Sequence, residues 1–119
     1  IAAAMGVEAE MEIFESYPGC RNDPAMTDLL RRAAAKVLGG ENVLELADPS
    51  LGTDDFGYFS GAAPGCYYYI GVGNAAKNFT CPNHNPRFAA DPDALPLSAA
   101  VEAQAALDFL ADGGRRAAR

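Results

Sequence analysis

From Val7 to Tyr17 the chain alternates, with Val7, Ala9, Met11 and Ile13 on one face and Glu8, Glu10 and Glu12 on the other. A period of two predicts a half-exposed strand with one acidic, solvated side. Tyr17-Pro18-Gly19 stops it. Asn22-Asp23-Pro24 then offers an N-cap followed by proline in the first helical turn, so a helix is expected from about Pro24. Its apolar residues Met26, Leu29, Leu30, Ala33, Ala34, Val37 and Leu38 recur at spacings of three and four, and Gly39-Gly40 ends it.

A short strand is expected from Asn42 to Leu46, followed by a loop over Asp48-Pro49-Ser50-Leu51-Gly52. Thr53 is the expected cap of a short helix whose first turn carries Asp54 and Asp55, where the helix dipole favours negative charge. Ala62-Ala63-Pro64-Gly65 breaks that helix. Cys66 to Val72 is a run of aromatic and β-branched residues without clean alternation, the pattern of a strand covered on both faces. Gly73 to Leu95 is irregular and too long for an ordinary connection, which points to functional use. Pro96 is expected to open a last helix, with Leu97, Ala100, Ala103, Leu107 and Leu110 on one face and Gly113-Gly114 after it.

Strand, helix, strand, short helix, strand, long loop and helix follow one another in α/β order. Two central strands are few for a sheet that needs both faces covered, so the pattern is that of part of a larger sheet. A length of 119 residues, half of them apolar, allows one modest core and not two full domains. The formal charge of −7 opposes a phosphate backbone, and no nucleic-acid partner is expected. No apolar run approaches the roughly 18 to 20 residues that span a bilayer, and no membrane partner is expected either. Cys20, Cys66 and Cys81 are an odd set without the spacing of a disulfide framework, which favours a reducing, cytoplasmic setting.

Candidate chemistry centres on His84, the only histidine, in the proline- and asparagine-rich stretch Cys81-Pro82-Asn83-His84-Asn85-Pro86-Arg87-Phe88. Imidazole is the commonest transition-metal ligand and the usual acid or base near neutral pH, yet a loop histidine can equally make ordinary hydrogen bonds. A metal centre needs three or four converging ligands, and no CxxC or second histidine completes one locally. Asp54-Asp55 has two readings as well: paired carboxylates that orient a histidine or hold a cation, or a solvated helix start. Tyr67-Tyr68-Tyr69 has the composition of packing residues. A serine nucleophile with its base is not indicated, since no GxSxG occurs.

Read in order, five motifs closely resemble the C-terminal end of the metal-dependent amidohydrolases that include hippurate hydrolase, N-acyl-amino-acid deacylases and auxin-conjugate hydrolases. They are Gly52-Thr53-Asp54-Asp55-Phe56-Gly57-Tyr58-Phe59, Ala63-Pro64-Gly65, Ile70-Gly71-Val72-Gly73, His84-Asn85-Pro86-Arg87-Phe88 and Asp93-Ala94-Leu95-Pro96. Tyr17-Pro18 and Asn22-Asp23 add to the likeness, which covers nearly the whole chain. The resemblance implies residues 1–15 as the end of an α+β lid, or dimerisation, domain. Residues 16–119 would then be the last part of a zinc-peptidase-like catalytic domain, a mixed sheet flanked by helices.

It also implies two divalent metal ions, zinc, manganese or similar, with His84 as one ligand, and a substrate that is an N-acyl amino acid or related amide. Asp54, Asp55, Phe56, Gly71, Gly73 and Asn85 are then expected near the substrate, and a homodimer is expected at full length. The other ligands and the general-base glutamate of that family fall earlier than Ile1, so no catalytic residue is expected among these 119 residues, which alone should be inert. Asp54 stands where the family usually has glutamate, and its shorter carboxylate reaches less far. Asn83 and Ser98 are further departures. An initial Ile1 in place of methionine fits a fragment or processed piece. The competing reading is a noncatalytic α/β module that pairs with a partner through an exposed sheet edge; a reading frame that continues upstream of Ile1 separates the two.

Overall fold

In the computed structural model residues 1–113 are described. Three helices organise them: α1 (Pro24–Leu38), α2 (Phe56–Ala62) and α3 (Ala94–Ala111). α1 starts as its sequence dictates. The Asp23 carboxylate accepts hydrogen bonds from the N–H groups of Ala25 (2.9 Å) and Met26 (3.0 Å), and Pro24 occupies a first-turn position where no N–H is needed. Gly39 ends it with φ +85°, a backbone that an L side chain strains.

α1 packs against α3, and the core lies between them: Ala33 and Val101 are fully buried and Leu29 nearly so. At its edge Lys36 Nζ donates to both oxygens of Asp108 (2.7 and 2.8 Å), which also accepts from Gln104 (2.8 Å). These donors hold the Asp108 carboxyl below the ordinary carboxylate range, Lys36 contributing most.

The face expected to bury α3 is not the one that does. Leu97, Leu107 and Leu110 are exposed, while Val101 is buried and Ser98, Gln104, Ala105 and Asp108 are half-buried. A helix that is apolar nearly all round carries no periodic signal for choosing a face, and contact with α1 makes the choice. α3 is also long and apolar enough to cross a membrane by length and composition alone, which corrects the expectation that no run is. Glu102 and Asp108 on it bond Tyr68 and Lys36, the behaviour of a packing helix. It begins at Ala94, ahead of the expected Pro96, because proline is harmless anywhere in the first turn. Gly113 follows it with φ +71°, and Gly114 lies outside the described residues.

The expected strands Val7–Tyr17, Asn42–Leu46 and Cys66–Val72 form no ladder among the described residues, and the mixed sheet is absent there. Among the described residues the one backbone bridge is Asn74 with Phe79. Side-chain alternation prepares a segment for a sheet, but a ladder requires a second backbone at hydrogen-bonding distance. Cys66–Val72 nevertheless has two distinct faces. Tyr67 and Tyr69 meet edge to face at 5.6 Å on one, while Tyr68 on the other donates from its hydroxyl to Glu102 of α3 (3.3 Å). Burial, and then Glu102, raises the Tyr68 hydroxyl pKa.

Much apolar surface stays uncovered: Met11, Ile13, Phe14, Leu44 and Leu51 are each more than three-quarters exposed. The radius of gyration, 19.4 Å, exceeds the roughly 13 to 14 Å of a compact domain of this length. The core between α1 and α3 is therefore the only well-packed part of the described residues.

Candidate functional site

α2 is short, and its position is set by a close approach. Gly57 is buried against the Pro18 carbonyl, and a Cβ there would lie 2.3 Å from that oxygen. Tyr58 extends the contact, its hydroxyl donating to the Ser16 carbonyl (3.2 Å) and its ring meeting Tyr17 edge to face at 6.2 Å. The expected cap by Thr53 is replaced by Asp54, whose Oδ1 accepts from the Phe56 N–H (2.8 Å), with Asp55 at the N-cap position and no side-chain cap bond. An aspartate two residues ahead of an N–H closes a local Asx turn, and here that geometry wins over the threonine.

The other oxygen of Asp54 accepts from the Tyr67 hydroxyl (3.2 Å), and this bond raises the Tyr67 pKa. Phe56 stacks on Phe59 (6.1 Å) and meets the Tyr67 ring at a tilt (5.4 Å). The structure thus brings Asp54 and Phe56 together in one aromatic cluster with a fixed carboxylate. Asp55 stays exposed and contributes its backbone carbonyl to Tyr58 (3.0 Å).

Asn22, expected beside the helix cap and as part of the family likeness, has a larger structural part. Its side-chain amide donates to the Tyr67 carbonyl (2.8 Å) and accepts from the Tyr67 N–H (2.8 Å), as a neighbouring strand would. Asp23 N–H donates to the Gly65 carbonyl (2.8 Å) beside it. The start of α1 is thereby tied to the Cys66–Val72 segment.

His84 lies in a turn in which the Asn85 N–H donates to the Pro82 carbonyl (3.2 Å). Its φ is +63° while Asn83 keeps a negative φ, the arrangement of a type II turn with histidine at the third position. Histidine tolerates this left-handed region better than most residues, but the conformation costs energy and tends to persist where function requires it. The Asn83 side chain accepts the His84 N–H (3.1 Å). Asn85 is half-buried; its carbonyl accepts from Phe88 (2.8 Å) and its side-chain oxygen from the Arg87 N–H (2.9 Å), so it shapes a second turn. The imidazole is exposed.

Gly71 is open, with nothing near its missing side chain, whereas a Cβ on Gly73 would sit 3.4 Å from the Phe79 carbonyl. Among the described residues no three His, Cys, Asp or Glu side chains gather to hold a metal, and the three cysteines are free thiols. His84 fits a metal as one exposed imidazole ligand, and the described residues do not complete a centre around it.

A cluster not foreseen in the sequence anchors the long loop. Asp91 is 6% exposed and accepts from Asn74 Nδ2 (2.6 Å), Lys77 Nζ (2.9 and 3.2 Å) and the Asp93 N–H (3.2 Å). Lys77 also reaches Asp93 (2.5 Å). The Asn74 bond first, then Lys77, holds the Asp91 carboxyl below its usual range, and Asp93, then Asp91, raises Lys77.

A depressed carboxylate stabilises the folded state above its unfolded pKa, about 3.9, and that contribution disappears as pH falls through the lower folded value. The raised lysine contributes fully below its unfolded value, about 10.4, and less as pH rises through the folded one. Amide exchange at Asp93 and Ala94 should therefore stay protected across neutral pH and lose protection only in acid below the ordinary carboxylate range. In Asp91→Asn that acid-dependent loss should vanish; an unchanged acid limb would assign it to another carboxylate.

Comparison with known proteins follows the same stretch of chain. The family described as peptidase family M20/M25/M40 matches residues 3–108. Thermostable carboxypeptidase 1 of Saccharolobus solfataricus is 34% identical over 110 residues, covering 92% of this chain and 27% of its own length. IAA-amino acid hydrolase ILR1-like 6 of Arabidopsis thaliana is 32% identical over 111 residues, covering 90% and 24%. The putative amidohydrolase YhaA of Bacillus subtilis is 27% identical over 109 residues, covering 92% and 27%. The chain thus spans about a quarter of the length of these curated relatives. No solved structure matches it. With the family match running from the first turn almost to the end of α3, the chain belongs to peptidase family M20/M25/M40.

Proposed function

We propose that the chain is the C-terminal part of a metal-dependent amidohydrolase that cleaves N-acyl amino acids or similar amides, with His84 supplying one ligand to a pair of divalent ions. The observation that carries this is the single imidazole held out to solvent on a left-handed turn, in a loop whose base is pinned by a buried carboxylate. Relatives named as carboxypeptidase and IAA-amino acid hydrolase support an amide or peptide bond as the target.

A bound divalent ion would lower the pKa of a water and polarise the amide carbonyl. The chain's own residues act around that chemistry. His84 presents an imidazole ring nitrogen as the ligand. Asp54, locked between Phe56 N–H and the Tyr67 hydroxyl, keeps a carboxylate at the start of α2, and the Phe56–Tyr67 rings give an apolar flank to a substrate side chain. The general base and the remaining ligands belong to the part of the family domain that this quarter-length chain does not include, as do the pairing backbones of Val7–Tyr17 and Cys66–Val72.

To test it, the full-length protein is assayed on N-acyl amino acids with zinc or manganese, stripped with a chelator, and reloaded. Hydrolysis should fall to background on stripping and return on reloading. Undiminished hydrolysis by the stripped protein would sink the proposal. The second reading, a noncatalytic module, draws on the unpaired extended segments and the exposed Met11, Ile13 and Leu44. It predicts a stable complex of the 119-residue chain with a separate partner, and an intact cellular mass that matches this chain alone.

A further inference from the structure

The loop that carries His84 is closed at its base by one residue. Asn74 uses its backbone N–H and carbonyl on Phe79 (2.8 and 2.9 Å), its side-chain oxygen on the Ala76 N–H (3.1 Å) and its side-chain NH₂ on Asp91 (2.6 Å). Asp91 is tied back on the same side, its own N–H donating to the Val72 carbonyl (2.9 Å). Phe79 and Asp91 are therefore both fastened to Asn74 or its close neighbour, and the residues between them form a closed arc with the His84 turn inside it. Asn78 next to this closure has φ +63°, a left-handed turn that asparagine accommodates.

A loop with joined ends has fewer conformations available to it, and a ligand side chain on it is held in place before metal arrives. A buried carboxylate whose oxygens are all occupied is costly to leave half-satisfied, so this closure is two-state in character: made with all its partners, or lost. The clamp meets α3 only at its start, where Asp91 accepts from the Asp93 N–H (3.2 Å) and, through its carbonyl, from the Ala94 N–H (3.0 Å); neither Asn74 nor Asp91 bonds to the aromatic cluster or to the buried Leu29, Ala33 and Val101 between α1 and α3.

We propose that Asn74 and Asp91 are positioning residues for His84, closing the base of the Phe79–Asp91 arc so that the imidazole is preorganised for metal. The inference rests on the reading of His84 as a ligand. Lys77 completes the clamp by bridging Asp91 and Asp93 with one ammonium.

The test measures zinc affinity of the full-length protein in chelator-buffered zinc, alongside its metal-free unfolding midpoint. Asn74→Asp keeps the acceptor for Ala76 but sets two carboxylates against each other, and zinc affinity should fall about 10- to 100-fold, the range for outer partners of metal ligands. Asp91→Asn keeps one oxygen as the acceptor for Asn74 but turns the other into an NH₂ facing Lys77 and the Asp93 N–H, so it loses the charge and one acceptor and zinc affinity should fall as well; it carries the test if Asn74→Asp does not fold. The combined Asn74→Asp/Asp91→Asn variant restores the donor–acceptor pair in reverse and should recover most of the affinity.

Lys36→Met breaks a pair at the α1–α3 edge, away from the arc, and should leave zinc affinity unchanged while lowering stability. His84→Asn is the reference for loss of the ligand itself. If His84→Asn loses zinc and Asn74→Asp and Asp91→Asn do not, the positioning role is wrong and the ligand reading stands. If His84→Asn binds zinc normally, the ligand reading fails and takes the positioning role with it. If the combined variant recovers nothing and Lys36→Met weakens zinc as much as Asn74→Asp, the effect is general stability and the clamp proposal is overturned.

Discussion

Replacing His84 by asparagine in the full-length protein is expected to weaken divalent-metal binding by more than the roughly 100-fold that loss of an outer-shell partner causes, and to lower hydrolysis with it. Asparagine is the informative choice because the turn, and not only the imidazole, depends on this position. His84 holds φ +63°, a region that asparagine enters readily and alanine does not. Alanine would strain the Pro82–Asn85 turn by about 1 to 2 kcal/mol and confuse a folding defect with a lost ligand. With asparagine the exposed site should keep stability within about 0.5 kcal/mol, so that a loss of metal reports on the ring nitrogen. Calorimetric titration with zinc, paired with thermal unfolding of the metal-free protein, reads both quantities. Wild-type affinity in His84→Asn would remove His84 from the ligand set.

Gly57→Ala should destabilise the full-length protein by about 1 to 3 kcal/mol. Alanine is the better helix former by about 0.8 to 1 kcal/mol, so propensity alone predicts the opposite sign. The Pro18 carbonyl decides the outcome: the new methyl would sit 2.3 Å from its oxygen and 3.1 Å from its carbon, and backbone cannot step aside as a flexible side chain can. α2 would have to separate from the Tyr17–Pro18 segment, loosening the Tyr58–Ser16 hydrogen bond and the Tyr17–Tyr58 ring contact. Gly61 in the same helix provides the contrast, since nothing lies within 4 Å of its added Cβ. Gly61→Ala should therefore be neutral or stabilising by up to about 1 kcal/mol. Equal effects of the two substitutions in denaturant titrations would show that the Pro18 contact does not govern this helix.

The legible parts of this chain are those whose cause is local. Asp23 caps α1 because an acceptor one residue ahead of Pro24 meets the free N–H groups of the first turn, and the apolar positions of α1 fall on the face that packs. The break after Ala62 and the turn at His84 announce themselves through proline, glycine and asparagine in the same way. The motif order also carried the family likeness, which the match over residues 3–108 establishes.

Other features depend on partners distant in the chain, and there periodicity is silent. Asn22 pairs with Tyr67 across 45 residues, and Asn74 pairs with Asp91 across 17. Both asparagines sit in turn-rich stretches where a polar residue needs no special explanation, so their bonds leave no local trace. The α3 face was chosen wrongly for a related reason: a helix apolar on nearly every side fits several neighbours equally well, and Val101 is buried because α1 lies there. Asp54 took the capping bond expected of Thr53 because the competition between two nearby acceptors is settled by backbone geometry at Phe56.

Residue order alone determined that the three helices form, both ends of α1, where α2 and α3 stop, the turn residues and the kinship, because propensity, capping and period act over a few residues at a time. Tertiary structure decided which face of α3 is buried, which backbone Gly57 touches, and that the arc bearing His84 is closed through Asn74 and a buried Asp91. Those outcomes depend on sterics, desolvation and hydrogen bonding between groups that become neighbours only when the chain folds.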